Sequence, residues 1–463
     1  MIEREGSFVW SERDVTEGIR QDAADSIRHT RLLRNLNWRT RGALTKDRGL
    51  QRMVPIALLN GAYSSYGGYD AHFNNGTQKV MVFQDNGTNG KVYIYSGGTL
   101  EDETVTLART KPCPNMIANQ VILADGTSLH AWDGSTWSTP GTADVNGCTF
   151  GVVYANRLIL FGDSTYPYYF YPSGVRDPTD WDADLAYEVM GTRGEVITGA
   201  GVCGSHLIVG GEGFCRAFYL GTASPRDWDW DGLSEQIGPV NWQCFVEVTR
   251  NRGNDSSAFT FFWSNEGPAM VANFGGAPML VPLWRPIQEM VWGQDYQGLD
   301  GLDTSYFSSV EAIYAPEYDE VRFCALDNAG NYILLCVDVD SAIRSAVDSQ
   351  TSPKWRIRDN TDMDFPNNYF PVEVDPDTSQ PSTDGIRRVW CTRNGSLFQM
   401  DADDDCVDDF DQLIVAEVRR DGYDGVEDGI KERDKSVRGC YVRCMQVGRY
   451  TLYVTVYGDG GES

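Results

Sequence analysis

The chain has 463 residues, with 66 acidic against 39 basic side chains, so it carries a net charge of −27. A hydrophobic content of 41% is enough for a large core and excludes wholesale disorder, while so acidic a surface argues against direct grip on nucleic acid. The longest apolar runs, residues 54–59 and 332–337, are far too short to cross a bilayer, and no apolar stretch follows Glu3, Arg4 and Glu5, so no secretory signal is expected.

Residues 1–52 differ from the rest. They hold 11 Lys and Arg against 8 Asp and Glu, a balance of +3, which leaves −30 for the remainder. Between Ser11 and Leu36 the pattern suits a helix, because Ser11 and Asp14 are spaced as a capping box and Val15, Ile19, Ala23 and Ile27 recur every four residues. Then come Arg31, Arg34, Arg39, Arg41, Lys46, Arg48 and Arg52, with Trp38 among them. Such a run is either a solvated face or an arm that docks on an acidic protein. A single interleaved aromatic disfavours nucleic acid.

From Met53 onward the pattern predicts strands. Residues 80–83 and 91–95 flank the turn Asp85-Asn86-Gly87-Thr88-Asn89-Gly90; residues 121–123 and 129–132 flank Asp125-Gly126; residues 323–326 and 332–336 flank Asp327-Asn328-Ala329-Gly330. Near the end, Leu452, Val454 and Val456 alternate with Tyr453, Thr455 and Tyr457. Asn75, Asn86, Asn254 and Asn394 read as turn residues rather than glycan acceptors.

A repeat selects among all-β architectures. Tyr171 to Gly174 followed by Asp177-Pro178-Thr179-Asp180-Trp181 returns 47 residues later as Phe218 to Gly221 followed by Ser224-Pro225-Arg226-Asp227-Trp228, and Leu158-Ile159-Leu160 returns after 49 as Leu207-Ile208-Val209. That length suits a four-stranded propeller blade. The fold expected is therefore a β-propeller of about six to eight blades over residues 53–463, closed by its C-terminal strands and preceded by a basic, partly helical arm. A two-sheet sandwich array would accept the same strands, but does not explain the period.

Chemistry is sparse. The 11 cysteines include no CxxC pair, and free, buried thiols are expected in a reducing compartment. His29, His72, His130 and His206 form no HExxH or HxH motif, and no nucleophile elbow, Walker A or dinucleotide loop occurs. The acidic run Asp401 to Asp411 fails an EF-hand loop at Cys406 and Gln412, leaving a solvated loop as the default and a Ca²⁺ loop as the alternative. Asp133-Gly134-Ser135-Thr136-Trp137 lacks a spacer needed for a sialidase Asp box and occurs once. No enzyme and no cofactor are expected.

The repeat itself resembles the propeller of short-tailed bacteriophage tail nozzle (tail hub) proteins. The likeness runs through Arg157-Leu158-Ile159-Leu160-Phe161-Gly162 and Asp177 to Trp181, then Phe218-Tyr219, Ile237-Gly238-Pro239, the segment Phe261 to Gly267 and Arg285-Pro286-Ile287. Asn37 to Gly49 is similar to the family's basic lead-in, and residues 437–442 with 450–457 to its closing strands. The resemblance implies a non-enzymatic virion protein, made in the host cytoplasm. It implies a homohexameric ring below the portal and its adaptor, in contact with portal-adaptor ring proteins and with a tail needle or fibre. DNA would pass the lumen without specific binding. The basic residues Arg31, Arg34, Trp38, Arg39, Arg41, Lys46 and Arg48 would then dock the arm. The other class that this composition admits is a carbohydrate-binding or glycan-hydrolysing propeller, since 13 Trp and 23 Tyr supply stacking surfaces.

Overall fold

Short runs of alternating or fully apolar residues, punctuated by Gly, Asn and Asp turns, build antiparallel sheets of four strands. The computed structural model describes residues 50–53 and 63–401, apart from 143, 182–186, 189–194, 220–223, 253–254, 297–298, 349–350, 359–366, 376–377 and 394–395. Outside these it describes only the strands Leu32–Arg34, Leu36–Asn37, Thr45–Lys46, Asp408–Asp409, Gln412–Leu413, Glu417–Arg419, Tyr457–Gly458 and Gly461–Glu462. The helix expected before Leu36, the strands expected at 437–442 and most of those at 450–457 lie outside the described residues.

Seven sheets follow one another as the blades of a propeller, and their innermost strands are Ser65–His72, Cys113–Ile117, Phe150–Tyr154, Gly199–Cys203, Val246–Arg252, Glu311–Ala315 and Asn367–Val374. The expected repeat is the step from blade 3 to blade 4, whose inner strands open 49 residues apart at Phe150 and Gly199, and blade 5 opens 47 residues further on at Val246. Its tryptophan corner has a packing reason. Trp228 is buried against Tyr154 (ring centroids 5.3 Å) and Phe170 (6.2 Å), which wedges blade 4 onto blade 3.

The core is a ring of apolar clusters between neighbouring blades rather than one central mass. One cluster spans blades 4 to 6 around Trp263 and Trp355, another spans blades 2 to 4 around Phe161 and Phe218, and Trp390 with Val80 and Val82 joins blade 7 to blade 1. Polar ties accompany them. At the last junction Asp70 accepts from the Glu373 backbone N–H (2.8 Å) and the Gln78 amide (2.9 Å), while the Gly67 N–H donates to the Thr392 hydroxyl (3.2 Å).

Two expectations change. The fourth strand of blade 7 is Leu50–Arg52, in the register Phe398 to Arg52 and Met400 to Leu50, so the ring is closed by the N-terminal side of the chain and not by its C-terminal strands. The body therefore begins at residue 50, inside the segment read as arm. Residues 32–34, expected to end a helix, form a strand parallel to Trp355–Arg358 of blade 6, and Glu417–Arg419 adds antiparallel beyond it. Blade 6 becomes a six-stranded sheet that takes one strand from before the first blade and one from after the last. A helix that the strand pattern did not announce, Val339–Val347, is capped by Asp338, whose carboxylate accepts from the Ser341 N–H at 2.7 Å.

Turn readings hold where residues are described. The Asn86 carbonyl oxygen accepts from the Thr88 and Asn89 N–H groups, and Asn75 accepts from Thr77. Asp133 likewise ties down Ser135 and Thr136 before Trp137 stacks on Trp132 at 5.7 Å. Asn254 and Asn394 lie outside the described residues. All eight described cysteines are free and buried.

Candidate functional site

Seven inner strands enclose an axial channel, and what fills it follows from two glycine-bearing strands. A Cβ built on Gly199 or Gly201 would come within 2.5 Å of the Phe245 ring, and one on Gly68 within 2.6 Å of the Phe370 ring. Glycine at these positions lets an aromatic ring from elsewhere in the channel wall lie flat on the strand. Phe245 and Phe370 thus pack against these inner strands, and beside them remains a void of about 350 Å³, the size of a small-molecule pocket.

A salt bridge crosses this space. Lys111, in the connector entering blade 2, places Nζ 2.7 Å from Oε1 of Glu311, the first residue of the inner strand of blade 6. Blades 1 and 7 lie between those two blades on one side of the ring, so the pair spans the axis. Both side chains are largely buried, at 18% and 11% exposure, and the Tyr369 N–H donates to the second Glu311 oxygen at 3.3 Å. A pair so placed acts as a strut as well as a plug. Removing one partner would leave the other charge desolvated.

The remaining wall is aromatic. Tyr66, Tyr69, Trp242 and Tyr314 line the void, with Pro112, Pro114 and Pro371. The Tyr66 hydroxyl donates to the Arg109 carbonyl (3.0 Å) and the Tyr314 hydroxyl to Asp319 (2.9 Å), so both are committed to the protein. Glu247 differs. It alternates on its strand with the buried Val246 and Val248, which points it away from the interblade core and into the channel. It makes no hydrogen bond or ion pair, and burial raises its pKa above the usual carboxylate range.

A second charged cluster lies between blades 6 and 7. Arg322 donates to Glu320 (2.7 Å) and Asp401 (2.6 Å), Arg358 donates to Asp401 (2.6 Å), and Arg356 donates to Glu320 (2.9 Å), all essentially excluded from solvent. The Tyr318 ring lies 5.0 Å from the Arg322 guanidinium. Burial alone would raise the Asp401 pKa, but the Arg322 and Arg358 guanidiniums hold it down at about 2. Asp401, read as the first residue of an acidic solvated loop, is therefore a buried ion-pair partner. Residues 402–407, 410 and 411 of that run lie outside the described residues. No group of three or more His, Cys, Asp or Glu among the described residues is arranged to hold a metal ion.

Of the basic residues proposed to dock the arm, Arg34 ends the strand added to blade 6, opposite Ile357 on one side and Glu417 on the other. Lys46 lies on a separate two-stranded ribbon, opposite Leu36. Arg31, Trp38, Arg39, Arg41 and Arg48 lie outside the described residues. The channel residues and the buried arginines were not anticipated. A signal for the latter exists, since arginine alternates with large apolar residues in Trp355-Arg356-Ile357-Arg358 and again in Val321-Arg322-Phe323, which marks a charge turned inward toward a partner.

Comparison with known proteins finds no matching family model and no matching curated protein. Among solved structures, Hsv2 of Kluyveromyces lactis is 10% identical at a TM-score of 0.36, over 72% of this chain and 98% of that one. The extracellular domain of a hybrid two-component system protein of B. thetaiotaomicron is 9% identical at a TM-score of 0.41, over 73% of this chain and 40% of that one. Neither is a phage tail protein. The fold is that of a seven-bladed β-propeller.

Proposed function

We propose that this chain is a structural component of a short-tailed phage tail, one wall element of the nozzle ring through which DNA is ejected. The observation that carries most of this reading is that two segments flanking the body add to one blade: Leu32–Arg34 and Glu417–Arg419 widen blade 6 to six strands, beside the place where Leu50–Arg52 closes blade 7. A body with its connecting segments gathered on one side suits a ring of copies, each passing segments to a neighbour or to an adaptor. The plugged channel fits the same role. With Lys111 and Glu311 across its axis, the propeller is no conduit, and the lumen of a nozzle would lie between subunits. An exterior at −27 would repel phosphate along that lumen and let duplex slide.

The glycan-binding alternative is less well supported. Sugar recognition needs several free hydrogen-bonding groups, whereas Lys111 and Glu311 pair with each other, Tyr66 serves the backbone and Tyr314 serves Asp319.

The test is a count. Quantitative mass spectrometry of purified particles is expected to find about six copies of this chain beside one portal ring. Its absence from particles, with free chain in the lysate, would end the nozzle reading. Removing residues 1–40 should abolish incorporation while leaving a folded propeller, and normal incorporation of that truncation would remove the docking role of the arm.

A further inference from the structure

We propose that the axial channel is a binding site for an aliphatic ammonium group, seated on Glu247 and walled by the aromatic rings of the inner strands. The proposal goes beyond the nozzle reading and does not depend on it.

Charge inside the channel selects the ligand. Every cation near the void has a carboxylate of its own: Lys111 faces Glu311 at 2.7 Å, Arg387 faces Glu373 at 3.8 Å, and Arg250 is paired with Asp319. Glu247 has none, so the void holds one uncompensated carboxylate. Its side chain is exposed to the water of the channel, and the protein close by raises its pKa by partly desolvating it. A cation that entered would restore the balance. The walls suit such a guest, because Trp242, Tyr314 and Tyr69 line the void with aromatic rings that attract an ammonium, and the three prolines give its methylene chain an apolar surface.

Hydrogen-bonding capacity points the same way. With Tyr66, Tyr314, Lys111 and Glu311 committed, Glu247, Gln243, the Tyr69 hydroxyl and the Trp242 indole N–H are left to meet a ligand, and Glu247 is the one charge among them, which favours an ammonium. A void of about 350 Å³ holds an alkyl chain of several carbons. The ammonium can arrive as a free polyamine or as the lysine side chain of a partner protein.

The experiment titrates the purified full chain with cadaverine at physiological salt, followed by calorimetry and by tryptophan fluorescence, which Trp242 reports. The uncharged 1,5-pentanediol is the control of equal length, and a short capped peptide carrying one lysine is the second probe. Saturable binding of an amine at one site, with none of the diol, is expected. Glu247→Gln should weaken it by about tenfold or more, and Glu247→Asp, which keeps the charge, should retain most of it. Glu212→Gln, an exposed carboxylate on the blade 4 turn, should change nothing. Binding of cadaverine but not the peptide identifies a free amine as the source, and binding of the peptide identifies a protein partner. The melting temperature of Glu247→Gln should not fall below that of the wild type, since Glu247 has no partner to lose. Failure of both amines to bind saturably would overturn the proposal. So would an equal loss on Glu212→Gln, which would assign any binding to the diffuse acidity of the chain.

Discussion

Asp401 is the residue on which the closing blade turns. It directly follows the strand Ser396–Met400 of blade 7 and gives each carboxylate oxygen to a different arginine of blade 6, Arg322 and Arg358, with almost no solvent to share the load. Replacing it by Asn keeps the shape and leaves those guanidiniums short of a counter-charge, so Asp401→Asn should cost about 3–5 kcal/mol in a denaturant titration. A loss under about 1 kcal/mol would show that the guanidiniums are satisfied elsewhere. The pH dependence has a fixed sign. Because the folded carboxyl titrates at about 2, below its ordinary value, its contribution is complete above the ordinary Asp range and is lost as pH falls toward 2. Glu320, also depressed by Arg356 and Arg322 against the opposing effect of burial, acts in the same direction. Thermal melts of the wild type should therefore fall across the acid range below about pH 4, and Asp401→Asn should flatten part of that fall.

Strand Leu50–Arg52 shows how an element of three residues governs a ring. It covers the edge of Ser396–Met400, and Met53 just beyond it donates its N–H to Leu397 and buries its side chain in the cluster between blades 7 and 1. Truncation to residue 40 spares all of this, whereas truncation to residue 53 exposes an apolar edge strand and opens the ring. The shorter truncation should melt near the wild type. The longer one should aggregate or melt far lower, and equal melting of the two would refute closure by this strand. Nothing local announced it, because three residues carry no periodicity and their partner lies almost the whole chain away. The blades were legible for the opposite reason. Each repeats one hairpin chemistry, so Asp85-Asn86-Gly87 or Asp327-Asn328-Ala329-Gly330 marks a turn by itself. The channel was illegible because Lys111, Glu247, Glu311 and Tyr369 come from four blades with no common spacing. The helix Val339–Val347 was hidden because Val337-Asp338-Val339-Asp340 continues the alternation of the strand before it.

At the scale of the whole molecule, charge and closure together decide what the body can do near DNA. Among the described residues the propeller offers no opening wide enough for a duplex, since the axis is crossed by Lys111 and Glu311. Contact with DNA would have to be made on the exterior of a chain whose acidic residues outnumber its basic ones 66 to 39, which opposes the release of counterions from phosphate. The balance of +3 over residues 1–52 is too small to hold a duplex. Gel retardation with duplex DNA should therefore show no complex even near 50 mM salt, where electrostatic binding is strongest, and removing residues 1–40 should not alter that result. Salt-sensitive retention by the full chain, lost on the truncation, would make the arm a DNA contact. A lumen built from such subunits would then brake the duplex rather than pass it.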